Sequence, residues 1–478
     1  MSLPLKKCLR DVYFAVIDSL QGENIIKNCV TIAQNRLIVR PYLIDDQSYD
    51  FDLSKRNLLI LGAGKATLSL TVGFLKVLDS YNSSNLHDSI GVKRGTIIVP
   101  FGSHVETQHH RLLDKYNIEL FFGAKNNLPD QDSVDATQRL LNMVDESNED
   151  ANSDNHHSNL YLTFITGGAS ALLVAPKPPL TLGQKREITC QLMKAGFTIN
   201  ELNQVRRKLS LVKGGQLAKR ILSKNVESQV VSLIASDVIG DPLSIIGSGP
   251  TYPPELHEST FEVVHRAFQK LSLPDGNSFI SSLLENQSEE RVSYHDRLHN
   301  VVILNNSLAL KVAREKIEKL GFRLNDLGSC IQGEASKLGE KLAELIKSYD
   351  GKGAVCWIGG GETTVTIGSS SHGRGGRCQE MALKFLIETL PLNDQKIIMM
   401  AAGTDGQDGP TPVAGVIYQR KDLKPELSLE YVQEAALAHI ESHSSYTFWS
   451  DHAPDSLLDT NGPTGVNVMD LYCVLRSA

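Results

Sequence analysis

The residues of this chain that could do chemistry are cations and carboxylates set beside glycines. Lys65 sits in Gly-Ala-Gly-Lys-Ala, Gly62 to Ala66, directly after the apolar run from Asn57 to Leu61. Arg374 and Arg377 flank Gly375 and Gly376, just ahead of a helix-like segment from Glu380 to Thr389. A cation at a helix start opposes the helix dipole and is unfavourable unless an anion sits beside it. Glycines add unshielded amides that a polyanion can use. Such glycines recur in Thr166-Gly-Gly-Ala-Ser170 and at 359–361, after the apolar run Val355 to Ile358. Candidate phosphate- or substrate-binding residues are therefore Gly62, Gly64, Gly167, Gly168, Ser170, Gly360, Glu362 and Arg374. The alternative at each place is an ordinary turn with solvated charges, and spacing alone leaves both open.

Carboxylates form the second set. Asp237 and Asp241 lie in Ser-Asp-Val-Ile-Gly-Asp-Pro, and Asp405 and Asp408 in Gly-Thr-Asp-Gly-Gln-Asp-Gly-Pro-Thr, each just past a strand-like run. Carboxylates three or four residues apart can share a hard cation with phosphate oxygens, or one can take a hydroxyl proton. They can also simply close Asx turns. The stretch Asn203 to Gly215 brings Arg206, Lys208 and Lys213 close to a glycine pair that should bend an otherwise helical segment towards a ligand. Basic residues on a helix otherwise make a solvated face. Gly-Ala-Gly-Lys-Ala is neither a phosphate-binding P-loop nor a dinucleotide fingerprint, because the glycines those need would fall at Leu59 and Thr67. The histidine pairs at 109–110 and 156–157 lack carboxylates or cysteines at ligand spacing and are read as solvated.

The elements that must hold these groups alternate. Strand signals fall at 57–61, 95–100, 118–122, 160–165, 229–235, 301–304, 355–358 and 397–402, with helical periodicity between them. Residues 5–40 read as two helices, and the polar run 145–159 as a mobile surface loop. The pattern predicts an α/β protein of two α/β domains with mainly parallel sheets, whose ligand loops lie past the strand ends. The expected division is residues 1–255, a helical connection over 256–300, and a second domain over 301–478.

The totals narrow the class. The 478 residues are 41% hydrophobic and 22% charged, with a net charge of −7, which speaks against a nucleic-acid-coating surface. Seven scattered cysteines without metal-ligand spacing suit reduced thiols, and no apolar run approaches a membrane span. The expectation is a cytoplasmic protein rather than a mitochondrial one, with no nucleic-acid or membrane partner. Monomer and homodimer both stay open.

Taken together and in order, the motifs at 62–66, 166–170, 203–215, 236–251, 373–380, 403–411 and 462–471 resemble class II glycerate kinases, the family with a C-terminal MOFRL domain. The likeness covers nearly the whole chain, and its length and polar insert resemble the animal branch. It implies ATP-dependent phosphorylation of D-glycerate, with Mg2+, in a cleft between an N-terminal Rossmann-like domain and a smaller MOFRL-type domain, and a place in serine and fructose catabolism. Lys65 and Arg377 match the catalytic cations. Asp237 and Asp405 are the expected catalytic and metal-binding carboxylates. Arg206, Lys213, Asp408, Thr464 and Asn467 join the substrate and nucleotide contacts. The implied product is 2-phosphoglycerate, with 3-phosphoglycerate as the alternative. Two departures stand out: Cys378 replaces the usual asparagine, and Pro412-Val413 replaces an acidic residue and alanine, so Asp405 and Asp408 must supply any carboxylate needed there. Two other readings are an NAD(P)-dependent hydroxypyruvate reductase, against which the incomplete fingerprint counts, and a sugar-acid sensor without nucleotide.

Overall fold

The computed structural model describes residues 5–41, 47–153, 158–253, 262–263, 265–267, 270, 294, 296–351, 353–368, 373–392 and 394–477. The chain divides into two compact units that do not follow the linear order. One holds residues 25–235 and 242–303; the other holds the N-terminal residues to Asn24, Ser236–Asp241 and everything from Leu304 onward. The expected 1–255 boundary is corrected at both ends. Most of the expected helical connection at 256–300, and His156 and His157, lie outside the described residues.

The first unit begins with a small antiparallel sheet of β1 (Val30–Ala33), β2 (Arg36–Val39) and β3 (Tyr49–Asp52). Residues 30–39 thus form a hairpin, and only the helices Leu5–Ser19 and Gly22–Cys29 remain of the helical reading of 5–40. Gln34 and Asn35 both take positive φ, which matches a two-residue turn to the twist of the strands. The main sheet contains β4 (Arg56–Ala63), β5 (Val92–Pro100), β6 (Ile118–Gly123), β7 (Ser158–Ile165), β8 (Gln229–Ala235) and β9 (Leu298–Leu304) in the order β6-β5-β4-β7-β8-β9. The pairs from β6 through β8 are all parallel. Continuous burial along Leu58 to Ala63 and Leu160 to Ile165 explains why these strands read as unbroken apolar runs.

Residues 145–153 of the polar run are helix where a loop was expected: Gln131–Ser153 is one helix. Two of its polar residues, Ser147 and Asn148, are buried and satisfied inside. Tyr161 donates to Asn148 Oδ1 at 2.8 Å, and the Asn159 amide donates to the Ser147 carbonyl at 2.8 Å. A hydropathy pattern cannot see such a network, because it scores buried, bonded asparagine as solvent-facing.

The second unit is built on β10 (Arg323–Glu334), β11 (Val355–Thr364), β12 (Ile397–Gly403), β13 (Gly415–Gln419), β14 (Leu457–Leu458) and β15 (Asp470–Arg476), in the order β10-β11-β15-β12-β13-β14. It is an α/β unit, yet its sheet is mixed. The pair β10–β11 is parallel, while β11–β15, β15–β12, β12–β13 and β13–β14 are antiparallel. The expectation of parallel pairing in this half therefore gives way. The C-terminal strand β15, which periodicity did not reveal, inserts between β11 and β12 and reverses the direction of both its pairings.

Helix Leu5–Ser19 belongs to this unit. It buries Leu9, Val12, Val16 and Ile17, Tyr13 donates to the Gly403 carbonyl at 2.7 Å, and Lys6 pairs with Asp422 at 2.7 Å. The core gathers around helix Arg377–Thr389, whose Met381, Leu383, Phe385 and Leu386 are buried with Trp449 and Phe448.

Candidate functional site

In the parallel-sheet unit, the loops after the neighbouring strands β4 and β7 are tied together. Lys65 N donates to the Gly167 carbonyl at 2.8 Å, and Ala66 N donates to Thr166 Oγ1 at 3.1 Å. Gly62 and Gly64 are glycines for closeness. A Cβ at Gly62 would fall 2.5 Å from Thr67 Cγ2, and one at Gly64, where φ is +133°, would fall 2.0 Å from Thr166 Oγ1. The Lys65 side chain is exposed immediately before helix Thr67–Ser84, whose first residues have no side-chain cap. That is the arrangement in which a helix start accepts an anion. Gly168, at φ +84°, precedes the short helix Ala169–Leu172, which carries Ser170.

The segment with the glycine pair does bend. Helix Ile199–Lys208 stops, Gly214 and Gly215 take φ of 61° and 81°, and helix Gln216–Lys224 starts. The bend delivers Lys213 inward. Its Nζ donates to the Ser170 carbonyl at 2.5 Å and to Ser248 Oγ at 3.3 Å, and the two serine hydroxyls are 2.8 Å apart. Gly214 N and Gly215 N donate to the Ser248 and Gly249 carbonyls. Four motifs that are separate in sequence thus meet past the carboxyl ends of β4 and β7. Burial, with Lys185 and Arg206 adding repulsion, holds the Lys213 ammonium well below its ordinary range.

In the mixed-sheet unit the centre is Arg377, at the first turn of helix Arg377–Thr389. Its guanidinium grips Asp470 through two bonds, Nε to Oδ2 at 2.6 Å and Nη2 to Oδ1 at 2.7 Å, and Nη1 lies 3.2 Å from Glu362. Asp470 is fully buried and also accepts from the Tyr472 hydroxyl at 3.0 Å. Burial works against the Arg377 charge, but the Asp470 bonds outweigh it and hold the guanidinium firmly protonated. Glu362 is pushed up by burial, pulled down by Arg377, and pushed up again by Asp470, Asp237 and Asp405. Asp237, Asp405, Glu362, Asp470 and Arg377 therefore share one electrostatic neighbourhood. A cavity of about 600 Å³ opens here, lined by Glu362, Gly375, Gly376, Arg377, Gly409 and His443 among others.

Several expected ligand residues turn out to hold this site's frame. Asp408 is buried and caps the helix: its carboxylate accepts from Cys378 N at 3.1 Å and from Gln379 N at 2.9 Å. Burial, and after it Asp470, still push its pKa up to about 6. Gly376 is glycine because a Cβ would sit 2.3 Å from the Asp408 carboxyl carbon. Thr464 braces the loop by donating to the Thr404 carbonyl at 2.5 Å, and Asn467 donates to Asp237 Oδ2 at 3.3 Å. Arg374 is exposed, donates to the Pro410 carbonyl at 3.0 Å and lies over the Tyr446 ring.

The phosphate-loop expectation for Gly359 to Gly361 is corrected. All three are buried inside β11, and a Cβ at Gly360 would lie 2.1 Å from Asn306 Oδ1. Gly360 is glycine so that the helix beginning at Asn306 can press onto the sheet, where Asn306 donates to the Val468 and Asp470 carbonyls, whereas a Cβ on Gly359 or Gly361 would strike Ile331 of the adjacent β10 at 2.6 and 2.1 Å. The sequence reading missed two residues. Asp470 could have been found, since it lies in the last matched motif; Lys185 carries no signal beyond being one lysine in a helix.

Residues 8–283 match the family described as a domain of unknown function, DUF4147, and residues 355–470 match the MOFRL family. A glycerate kinase of Rattus norvegicus is 32% identical over 473 residues, covering 88% of this chain and 84% of its own. A D-glycerate 2-kinase of Thermotoga maritima is 30% identical over 434 residues, covering 89% of this chain and 93% of its own. The chain belongs to the MOFRL-containing class II glycerate kinase family. A crystal structure of a Thermotoga maritima glycerate kinase superposes with a TM-score of 0.77 at 26% identity, covering 99% of both chains. The protein is thus an enzyme of the kinase class.

Both departures from the family pattern fall around the Asp408 cap. Cys378 is fully buried at the helix start, and its backbone, not its thiol, engages Asp408. Val413 accepts from Asp408 N at 2.8 Å. Asp408 is committed to the helix, while Asp237 accepts from Asn467 at 3.3 Å and Asp405 accepts from Gln407 N at 3.1 Å. Among the described residues no group of three or more metal-ligating side chains is assembled. Hard carboxylate oxygens in small number suit Mg2+, which keeps most of its waters and takes phosphate oxygens.

Proposed function

We propose that this protein transfers the γ-phosphoryl group of Mg-ATP to the 2-hydroxyl of D-glycerate, giving 2-phosphoglycerate and ADP. The observation that carries the reading is the Arg377 guanidinium, clamped bidentately by a buried carboxylate at a helix start beside a glycine-lined cavity. A phosphoryl transfer needs little covalent help and much positioning and charge neutralisation. The Asp470 clamp fixes the plane and direction of Arg377, so no reorganisation is needed when charge spreads over the transferring group. Membership of the family and the names of the relatives support glycerate as acceptor.

Lys65 is assigned to neutralising phosphate or carboxylate charge at the start of helix Thr67–Ser84. Asp237 and Asp405 would hold magnesium, which supplies charge neutralisation on the nucleotide phosphates when bound. Glu362, raised by burial, is the carboxyl poised to take the hydroxyl proton. The proposal extends to a cytoplasmic setting, in keeping with seven cysteines that are all unpaired. Among the described residues no helix is long and apolar enough to cross a membrane.

The test is to incubate purified protein with D-glycerate and Mg-ATP and identify the product by phosphorus NMR. The 2-phosphoglycerate resonance is expected. The 3-phosphoglycerate resonance would correct the regiochemistry, and no phosphorylated product would remove the proposal.

A further inference from the structure

Helix Leu182–Lys194 opens with a capping box between Thr181 and Gln184 and lays Ile188 and Leu192 against Leu202, Val205 and Leu209. Lys185 stands three residues before Ile188 and seven before Leu192, so it shares their inward face. It is only 7% exposed, and its Nζ has no hydrogen-bond partner. Its charged neighbours are cations. Lys213 is 3% exposed and feels both Lys185 and Arg206, while Arg206 is partly buried and, among the described residues, donates to Asn203 Oδ1 alone, at 3.3 Å. Among the described residues no carboxylate pairs with Lys185, Arg206 or Lys213. Burying one ammonium without a partner costs several kcal/mol, and three like charges together cost more. The burial holds Lys185 down to about 7. A fold that keeps such a cluster has a use for the negative group that would complete it.

We propose that Lys185, together with Lys213 and Arg206, forms an oxyanion subsite that takes a phosphate or carboxylate group of a substrate, with the Ser170 and Ser248 hydroxyls beside it. The inference rests on reading the Lys213–Ser170 corner as a binding site and is independent of which hydroxy acid is the acceptor. An anion entering this corner meets cations already stripped of water, so each bond to it is stronger than at an exposed lysine.

Thermal unfolding in rising inorganic phosphate tests it, with Lys185→Met and Lys185→Arg beside the parent protein. Lys185→Met is expected to melt at or above the parent temperature without phosphate, since an unpaired buried charge has gone. It is expected to need about tenfold more phosphate, or beyond, for the same stabilisation, the loss of one charge-assisted bond. Lys185→Arg should recover most of the phosphate response. A structural lysine gives the opposite pattern: a lower melting temperature in Lys185→Met with the phosphate response intact. That result, or a parent protein indifferent to phosphate, overturns the subsite. If Lys185→Met does not fold, Lys185→Gln carries the same expectations. Repeating the titration with Mg-ATP and with D-glycerate assigns the source, because the arm weakened in the variant supplies the anion; two unweakened arms overturn a substrate role. Failure of the kinase reading shows separately, as absence of product with the phosphate response retained.

Discussion

The two units handle positive charge in opposite ways. In the parallel-sheet unit Lys185, Arg206 and Lys213 are drawn inward with no carboxylate paired to them among the described residues. In the mixed-sheet unit Arg377 is held by Asp470 and Glu362, with Asp237 and Asp405 close enough to act on Glu362. The first arrangement is incomplete until an anion arrives and is suited to binding. The second is complete already; what it gains is direction, since a guanidinium locked in a fork cannot swing away from the cavity. Binding energy and transition-state stabilisation draw on different preparations of the same kind of group.

Lys65→Met is expected to give the largest effect that sharpens this contrast. It removes an exposed cation at a helix start, so turnover should fall by about a hundredfold or more with melting unchanged. A steady-state assay with a parallel thermal melt reads both. Asp470→Asn should break the other side of the comparison. It keeps the shape but removes the charge that holds Arg377, costing about 3 kcal/mol in urea unfolding. Its kcat should also drop more than its KM for glycerate changes.

Gly376→Ala comes next. The added methyl meets the Asp408 carboxylate that caps the helix, so about 1–3 kcal/mol should be lost in the same unfolding experiment. The smallest effect is a pH dependence. Burial first, then Arg206, hold Lys185 near 7 against an ordinary lysine value of 10.5, with Lys213 as a further cationic neighbour. A base depressed in the folded state binds fewer protons there than when unfolded, so its contribution to stability grows as pH rises above 7 and is lost as pH falls towards 7. Without phosphate, the parent protein should gain melting temperature relative to Lys185→Met between pH 7 and 9. Over the same range phosphate should stabilise the parent less.

What the sequence disclosed and what it hid also differ between the two units. Parallel strands buried on both faces leave apolar runs, and the predicted strands at 57–61, 160–165 and 229–235 lie within β4, β7 and β8. In the mixed sheet the order depends on β15, a strand closing the chain, whose place between β11 and β12 no local pattern records. Lys65, Arg377 and Lys213 stood out in the sequence because cations beside closely spaced glycines are unusual. The glycines at 359–361 misled because glycine needed for close packing looks the same as glycine needed to bare an amide. Asp408 was legible as a loop carboxylate, while its partner, a helix start thirty residues earlier, is a tertiary fact. Lys185 was hidden because burial of a lysine depends on neighbours brought in by two other segments.

The central claim is that Arg377 acts as an oriented guanidinium and not as mere positive charge. Arg377→Lys keeps the charge and loses the fork to Asp470. The most direct measurement is kcat of that variant with saturating D-glycerate and Mg-ATP, alongside its melting temperature. A fall of about a hundredfold or more in kcat, with the protein still folded, is the predicted result. Turnover within a few-fold of the parent protein would contradict the account.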